Sequence, residues 1–188
     1  MKSIPILLLV AVVLVSAFIF TYQYGKRSEF AQDYKNGTYL IDGREVTLTA
    51  GVSESESTPG SASKTVTRYF GNELRTDLND DGREDVVFLL TQETGGSGIF
   101  YYAVAALNTP EGYVGSDGYL LGDRIAPQST NVSENPRHKN VIVVNYADRA
   151  PGEPMTAQPS VGKSAYLKLD EPRMQWGIVV ADFEGESR

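Results

Sequence analysis

Val86-Val87-Phe88-Leu89-Leu90-Thr91 and Ile99-Phe100-Tyr101-Tyr102-Ala103-Val104-Ala105-Ala106-Leu107 decide the fold. These are nearly continuous apolar runs, rich in β-branched and aromatic residues. A strand with one wet face would alternate apolar with polar, and these do not. They read as strands covered on both faces, in the middle of a sheet or sandwich. Val141–Tyr146 (VIVVNY) is a third run of the same kind.

Working outward, Thr65–Leu74 carries Val66, Tyr69, Phe70 and Leu74 and also reads as a strand. Thr38–Ile41 and Glu45–Thr49 flank Asp42-Gly43, a hairpin-turn signature between two short strands. Tyr119–Leu121, Ser164–Leu169 and Met174–Val180 are shorter or alternating, and read as peripheral. Gly51–Ser63 is rich in Ser, Gly and Pro without apolar periodicity, and reads as a long mobile loop. Past the N-terminal region no segment combines an N-cap, helical periodicity and adequate length. The pattern predicts a mostly β chain: a single compact antiparallel β domain over residues 38–185, a sandwich or partly open barrel-like fold, with no internal repeat.

The N-terminus is different. Ile4–Phe20 (IPILLLVAVVLVSAFIF) is uncharged, and with Thr21, Tyr22 and Tyr24 it is long enough to cross about 30 Å of hydrocarbon as a helix. Tyr22 and Tyr24 suit the interface, and Lys26-Arg27 mark the exit into water. Residues 1–24 therefore read as an uncleaved transmembrane signal-anchor. The alternative is an export signal cleaved near Val15-Ser16-Ala17, which would release a secreted protein. Residues 25–37 read as a helical juxtamembrane linker ended by Asn36-Gly37. Lys26, Arg27 and Lys35 outnumber Lys2 and oppose export under the positive-inside rule. An extreme N-terminal apolar segment nevertheless usually acts as an export signal, and the expected location of the C-terminal domain is periplasmic or extracellular.

Composition narrows the function. The chain has 188 residues, with 24 Asp+Glu against 17 Lys+Arg and a net charge of −7. With a pI near 4.8 it has no basic surplus to displace phosphate counterions, so no nucleic-acid partner is expected. No cysteine means no thiol catalysis, disulfide or thiolate metal site, and the lone His138 rules out a multi-histidine centre.

The most informative polar stretch is Asp77-Leu78-Asn79-Asp80-Asp81-Gly82-Arg83-Glu84-Asp85. Oxygen-bearing side chains fall at loop positions one, three, five and nine, with Gly at six. A hard cation such as calcium takes six to eight oxygens, and one tight turn at this spacing supplies most of them. Asp77, Asn79, Asp81 and Asp85 would offer side-chain oxygens and Arg83 its backbone carbonyl, with Gly82 taking the sharp turn. Phe88 stands where an EF-hand needs a bidentate Glu, so the loop is not an EF-hand. The plain alternative is a solvated acidic turn. The nine residues resemble the D-x-[DN]-x-D-G-x-x-D loops of FG-GAP and integrin-type modules. That resemblance implies a structural calcium ion at a strand junction.

A wider likeness starts at Thr67-Arg68-Tyr69-Phe70-Gly71-Asn72-Glu73 and runs through DLNDDGREDVVFLLTQETGGSGIFYYAVAALN, LLGDRIAPQST, VIVVNYADRAPGEPMT and PSVGKS. Over roughly residues 38–170 it resembles an uncharacterised bacterial exported, envelope-associated β-domain family. This implies an envelope location and a compact β fold, and no catalytic residue.

Other features have plain readings. Thr94–Gly98 lacks the helix and Lys of a phosphate-binding loop and reads as a hairpin connection. His138 sits in a polar turn with no nucleophile placed beside it in sequence. The expected function is a noncatalytic binding or accessory role, with an envelope protein or a small molecule as partner. The alternatives are a carboxylate hydrolase using Asp123, Asp148 or Glu153, and an inhibitory or structural interaction module. A pair of convergent acids would favour the hydrolase.

Overall fold

The computed structural model describes residues 33–180, so the expected anchor (1–24), the linker as far as residue 32 and the last eight residues lie outside the described residues. No helix among the described residues is long and apolar enough to cross a membrane. They form twelve strands, two short 3₁₀ turns and no α-helix, and the sheets are antiparallel. In chain order the strands are β1 (Thr38–Ile41), β2 (Arg44–Thr47), β3 (Val52–Glu56), β4 (Lys64–Thr76), β5 (Asp85–Glu93), β6 (Phe100–Thr109), β7 (Gly112–Gly115), β8 (Tyr119–Asp123), β9 (Ala126–Val132), β10 (Val141–Asp148), β11 (Val161–Asp170) and β12 (Gln175–Ile178).

The central sheet runs β3-β4-β5-β6-β7, with β8 continuing the ladder on the same edge of β6 as β7. A second sheet runs β12-β11-β10-β9, and β1-β2 is a separate hairpin. The apolar runs quoted above are β5 and β6, side by side at the centre. Val87, Leu89, Ala103, Ala105 and Leu107 point to one face and pack on Ile142, Val144, Tyr146, Leu167 and Leu169 of the second sheet. Val86, Phe88, Leu90, Tyr102, Val104 and Ala106 point to the other, under Tyr34, Tyr39, Ile41 and Leu48. Both faces are dry, which is why these strands do not alternate.

Two segments differ from expectation. Val52–Glu56, expected in a mobile loop, is β3, paired with Lys64–Arg68 at the sheet edge. Its low strand propensity is overridden by that pairing, and Lys64 Nζ contacts Glu54 at 2.9 Å. Tyr34, expected in a helical linker, lies in the 3₁₀ turn Tyr34–Asn36 and is buried in the core. The cap is Asp33, whose carboxylate accepts from the Lys35 amide.

The connection between β7 and β8 ties the layers together. Ser116 Oγ accepts from the Ala105 amide at 2.8 Å, Leu40 N donates to Ser116 O, Gly118 N donates to Leu40 O, and Asp117 N donates to Met174 O. Hairpin, central sheet and the turn before β12 meet within three residues. Gly115 lets β1 approach this closely, because a Cβ there would lie 2.1 Å from Thr38 O and 2.7 Å from the Tyr39 ring. Gly115→Ala should therefore cost about 1–3 kcal/mol by forced displacement of the hairpin, whereas Gly162→Ala meets nothing within 4 Å and should stay within about 0.5 kcal/mol. Denaturant unfolding of the two variants checks this.

Candidate functional site

The acidic loop joins β4 to β5. Its short Asp and Asn side chains capture backbone amides two to five residues ahead, which fixes the turn. Asp77 Oδ1 accepts from Asn79 N and Asp81 N at 3.3 and 3.2 Å, and its Oδ2 accepts from Gly82 N at 2.8 Å. Asn79 Nδ2 donates to Asp81 Oδ2 at 3.0 Å. Gly82 takes φ +83°, as the spacing required, and Asp80 also sits in the left-handed region. Asp77, Asn79 and Asp81 are thus brought together on one turn.

Asp85 lies at the root of the loop and is fully buried. Its Oδ2 accepts from Leu78 N and its Oδ1 from Asn108 N, both at 2.8 Å. Burial pushes its carboxyl up from the ordinary value; the two amides oppose the rise, and the charges of Asp81 and Asp77 add to it. The Arg83 side chain folds back onto the Asp81 carboxylate, and its Nε donates to Asn108 O. A positive charge therefore already rests on one of the five expected ligands. Among the described residues no three His, Cys, Asp or Glu side chains are grouped so as to hold a metal by themselves, so a cation here would draw on Asn79 and backbone carbonyls as well.

The acids considered for hydrolysis are each engaged separately. Asp123 accepts from Ile99 N and contacts Arg124. Asp148 pairs with Lys163 at 2.7 Å, which holds its carboxyl below the usual range. Glu153 accepts from Ala150 N. No hydrogen bond joins any two of them. His138 does have a hydroxyl beside it, since Ser133 Oγ lies 2.8 Å from Nδ1, and its ring packs edge-on against Tyr166. Five residues apart in one turn, the pair closes the loop over the outer face of the second sheet.

Glu73 forms a cluster that sequence reasoning missed. Register shifts interrupt β4 on either side of Gly71, with Gly71 at φ +117° and Asn72 at +52°. Such a bulge turns side chains that simple alternation would place elsewhere. Glu73 accepts from the hydroxyls of Tyr34 and Tyr69, with Lys35 and Arg75 3.8 and 3.7 Å away. Lys35 Nζ lies 4.1 Å from the centre of the Tyr69 ring. Burial works to raise the Glu73 carboxyl, but the two hydroxyls and two cations outweigh it and hold it below the usual range. Burial, then the Glu73 hydrogen bond, pushes Tyr34 up to about 12. The only hint in sequence was Gly71-Asn72 inside a strand pattern.

No protein-family model, curated protein or solved structure matches this chain.

Tyr34 gives a pH prediction. A tyrosine whose ionisation is raised on folding contributes stability that is whole below its unfolded pKa of about 10 and is lost as pH rises toward the folded value. Absorbance titration of the phenolate should show Tyr34 ionising near pH 12. Glu73→Ala should bring that ionisation down and cost about 1–3 kcal/mol, because both hydroxyls lose their acceptor.

Proposed function

We propose that this is a membrane-tethered extracytoplasmic β domain with a noncatalytic binding or accessory role in the cell envelope, steadied by a structural calcium ion at the β4–β5 loop. The tether reading rests on the uncharged run Ile4–Phe20 and the Lys26-Arg27 that follows it. The envelope reading rests on the resemblance over residues 38–170.

The observation that carries the calcium reading is the turn itself. Backbone amides hold the side chains of Asp77, Asn79 and Asp81 on one turn, and the charges of Asp81 and Asp77 disfavour ionisation of the buried Asp85 at its root. A divalent cation would relieve that repulsion and fix the start of β5, at the cost of displacing Arg83 from Asp81. The noncatalytic reading is supported by the separate engagement of Asp123, Asp148 and Glu153.

Thermal unfolding of the full chain in detergent micelles, with and without calcium, tests the ion. With a dissociation constant of about 0.1 mM, typical of extracellular modules, about 1 mM calcium should add roughly 1.4 kcal/mol, or about 3–6 °C. Asp81→Ala, at an exposed turn, should abolish the rise, and Arg83→Ala should enlarge it. A wild-type chain indifferent to calcium removes the ion from the account. Protease digestion of the domain on intact cells tests the side of the membrane.

A further inference from the structure

The face of the central sheet that carries the aromatic core changes character along its strands. On β5 the residues on that face run Val86, Phe88, Leu90 and then Gln92; on β4 they run back from Tyr69 to Thr67 and Thr65. Ser53 and Ser55 of β3 are the register partners of Thr67 and Thr65, and Gln92 is the partner of Thr67 on the other side. The hairpin covers the apolar end. Its tip is held by Tyr102, whose hydroxyl donates to Asp42 Oδ2 at 2.7 Å. A cleft of about 500 Å³ lies between the tip and the hydroxyl- and amide-bearing end, within the size range of small-molecule sites.

The floor of this cleft is polar and deep. Thr67 is 2% exposed and Gln92 7%. Gln92 Nε2 donates to Thr67 Oγ1 at 3.1 Å. That leaves Gln92 Oε1 as an acceptor and the Thr67 hydroxyl proton as a donor with no partner among the described residues. Gln92 Oε1 is not one of the buried atoms left without a partner, so it is reached by solvent from the cleft and is open to a ligand.

The walls restrict the ligand by charge. Asp42, Glu45 and Glu56 face a single Arg44, which disfavours anions. No three acids among the described residues are grouped to hold a bare metal ion. Ile41 and Val46 supply the only large apolar side chains, too few for an apolar guest. A ligand that both donates and accepts hydrogen bonds at several points, neutral or carrying an amine, is what remains.

We propose that this cleft binds a saccharide of one or two rings. Sugar hydroxyls meet the Gln92 oxygen and the Thr67 and Ser53 hydroxyls, and the rim carboxylates accept from neighbouring hydroxyls or pair with an amino group. No aromatic ring lines the cleft, so affinity comes from hydrogen bonds in competition with water and is modest. This names a ligand class for the binding role proposed above and rests on it. It does not use the acidic loop, because Asp85 and Gln92 stand at opposite ends of β5, about 23 Å apart at strand rise.

The test is a titration of the full chain, in micelles of a detergent without a sugar headgroup, with cellobiose and with the glucosamine dimer, followed by saturation-transfer NMR. Both should bind with dissociation constants of about 1–10 mM. The diamine should bind several-fold tighter at low salt, an advantage lost at high salt as its charges are screened. Thr67→Val should weaken both about tenfold and Ser53→Ala, which cannot disturb the core, about threefold. No saturable binding of either probe up to about 50 mM overturns the saccharide and leaves the calcium reading standing. Binding indifferent to both substitutions overturns the cleft. Cleavage of a bound dimer would uphold the cleft and overturn the noncatalytic role.

Discussion

Two neighbouring strands with no wet face constrain everything else in this molecule. Over Val86–Leu90 and Tyr102–Ala106 both faces of the β5–β6 pair are apolar and buried. A sheet of that kind is stable only with a layer on each side. The second sheet supplies one cover through Ile142, Val144 and Leu167, and the β1–β2 hairpin with its preceding turn supplies the other through Tyr34, Tyr39 and Ile41. Phe88 is the focus of the second interface, with the rings of Tyr34, Tyr39 and Tyr69 each centred about 5.4–5.5 Å from its own.

A hairpin of eight strand residues is a small cover, and polar contacts hold it in place. At one end the β7–β8 connection bonds Leu40 on both its N–H and C=O. At the other, Glu73 fixes the hydroxyl of Tyr34, and Tyr34 O in turn accepts from Tyr39. The hairpin stops short of the sheet's full length, and the sheet face turns from Leu90 to Gln92 where the cover ends. The cleft thus follows from the same arrangement that buries the core.

The central strands were readable because burial on both faces removes the alternation that confuses strand with loop. The Asp42-Gly43 turn was readable because Asp42 takes φ +50° and Gly43 +74°. The segments that were not readable, β3, β7 and β9, lie toward sheet edges and carry few large apolar residues. Val52–Glu56 is Ser-Glu repeats, and Ala126–Val132 includes Pro127 next to a register shift. Partner strands, not propensity, order them. At the acidic loop, spacing predicted the turn at Gly82 and the convergence of Asp77, Asn79 and Asp81. It carried no sign that Asp85 would be buried under two backbone amides or that Arg83 would fold onto Asp81. The Glu73 cluster depends on a bulge, and a bulge shifts which residues share a face in a way that strict alternation hides.

Double-sided burial of β5 and β6 is the claim on which the hairpin cover, the loop that leads into β5 and the cleft beyond Leu90 all stand. Amide hydrogen exchange across the full chain in micelles measures it directly. Amides of Val86–Leu90 and Tyr102–Ala106 should exchange only through global unfolding, and more slowly than those of β2 and β12. Exchange of Phe88, Leu90 or Val104 as fast as these edge strands would mean that one face of the pair is open to water, and would contradict the account.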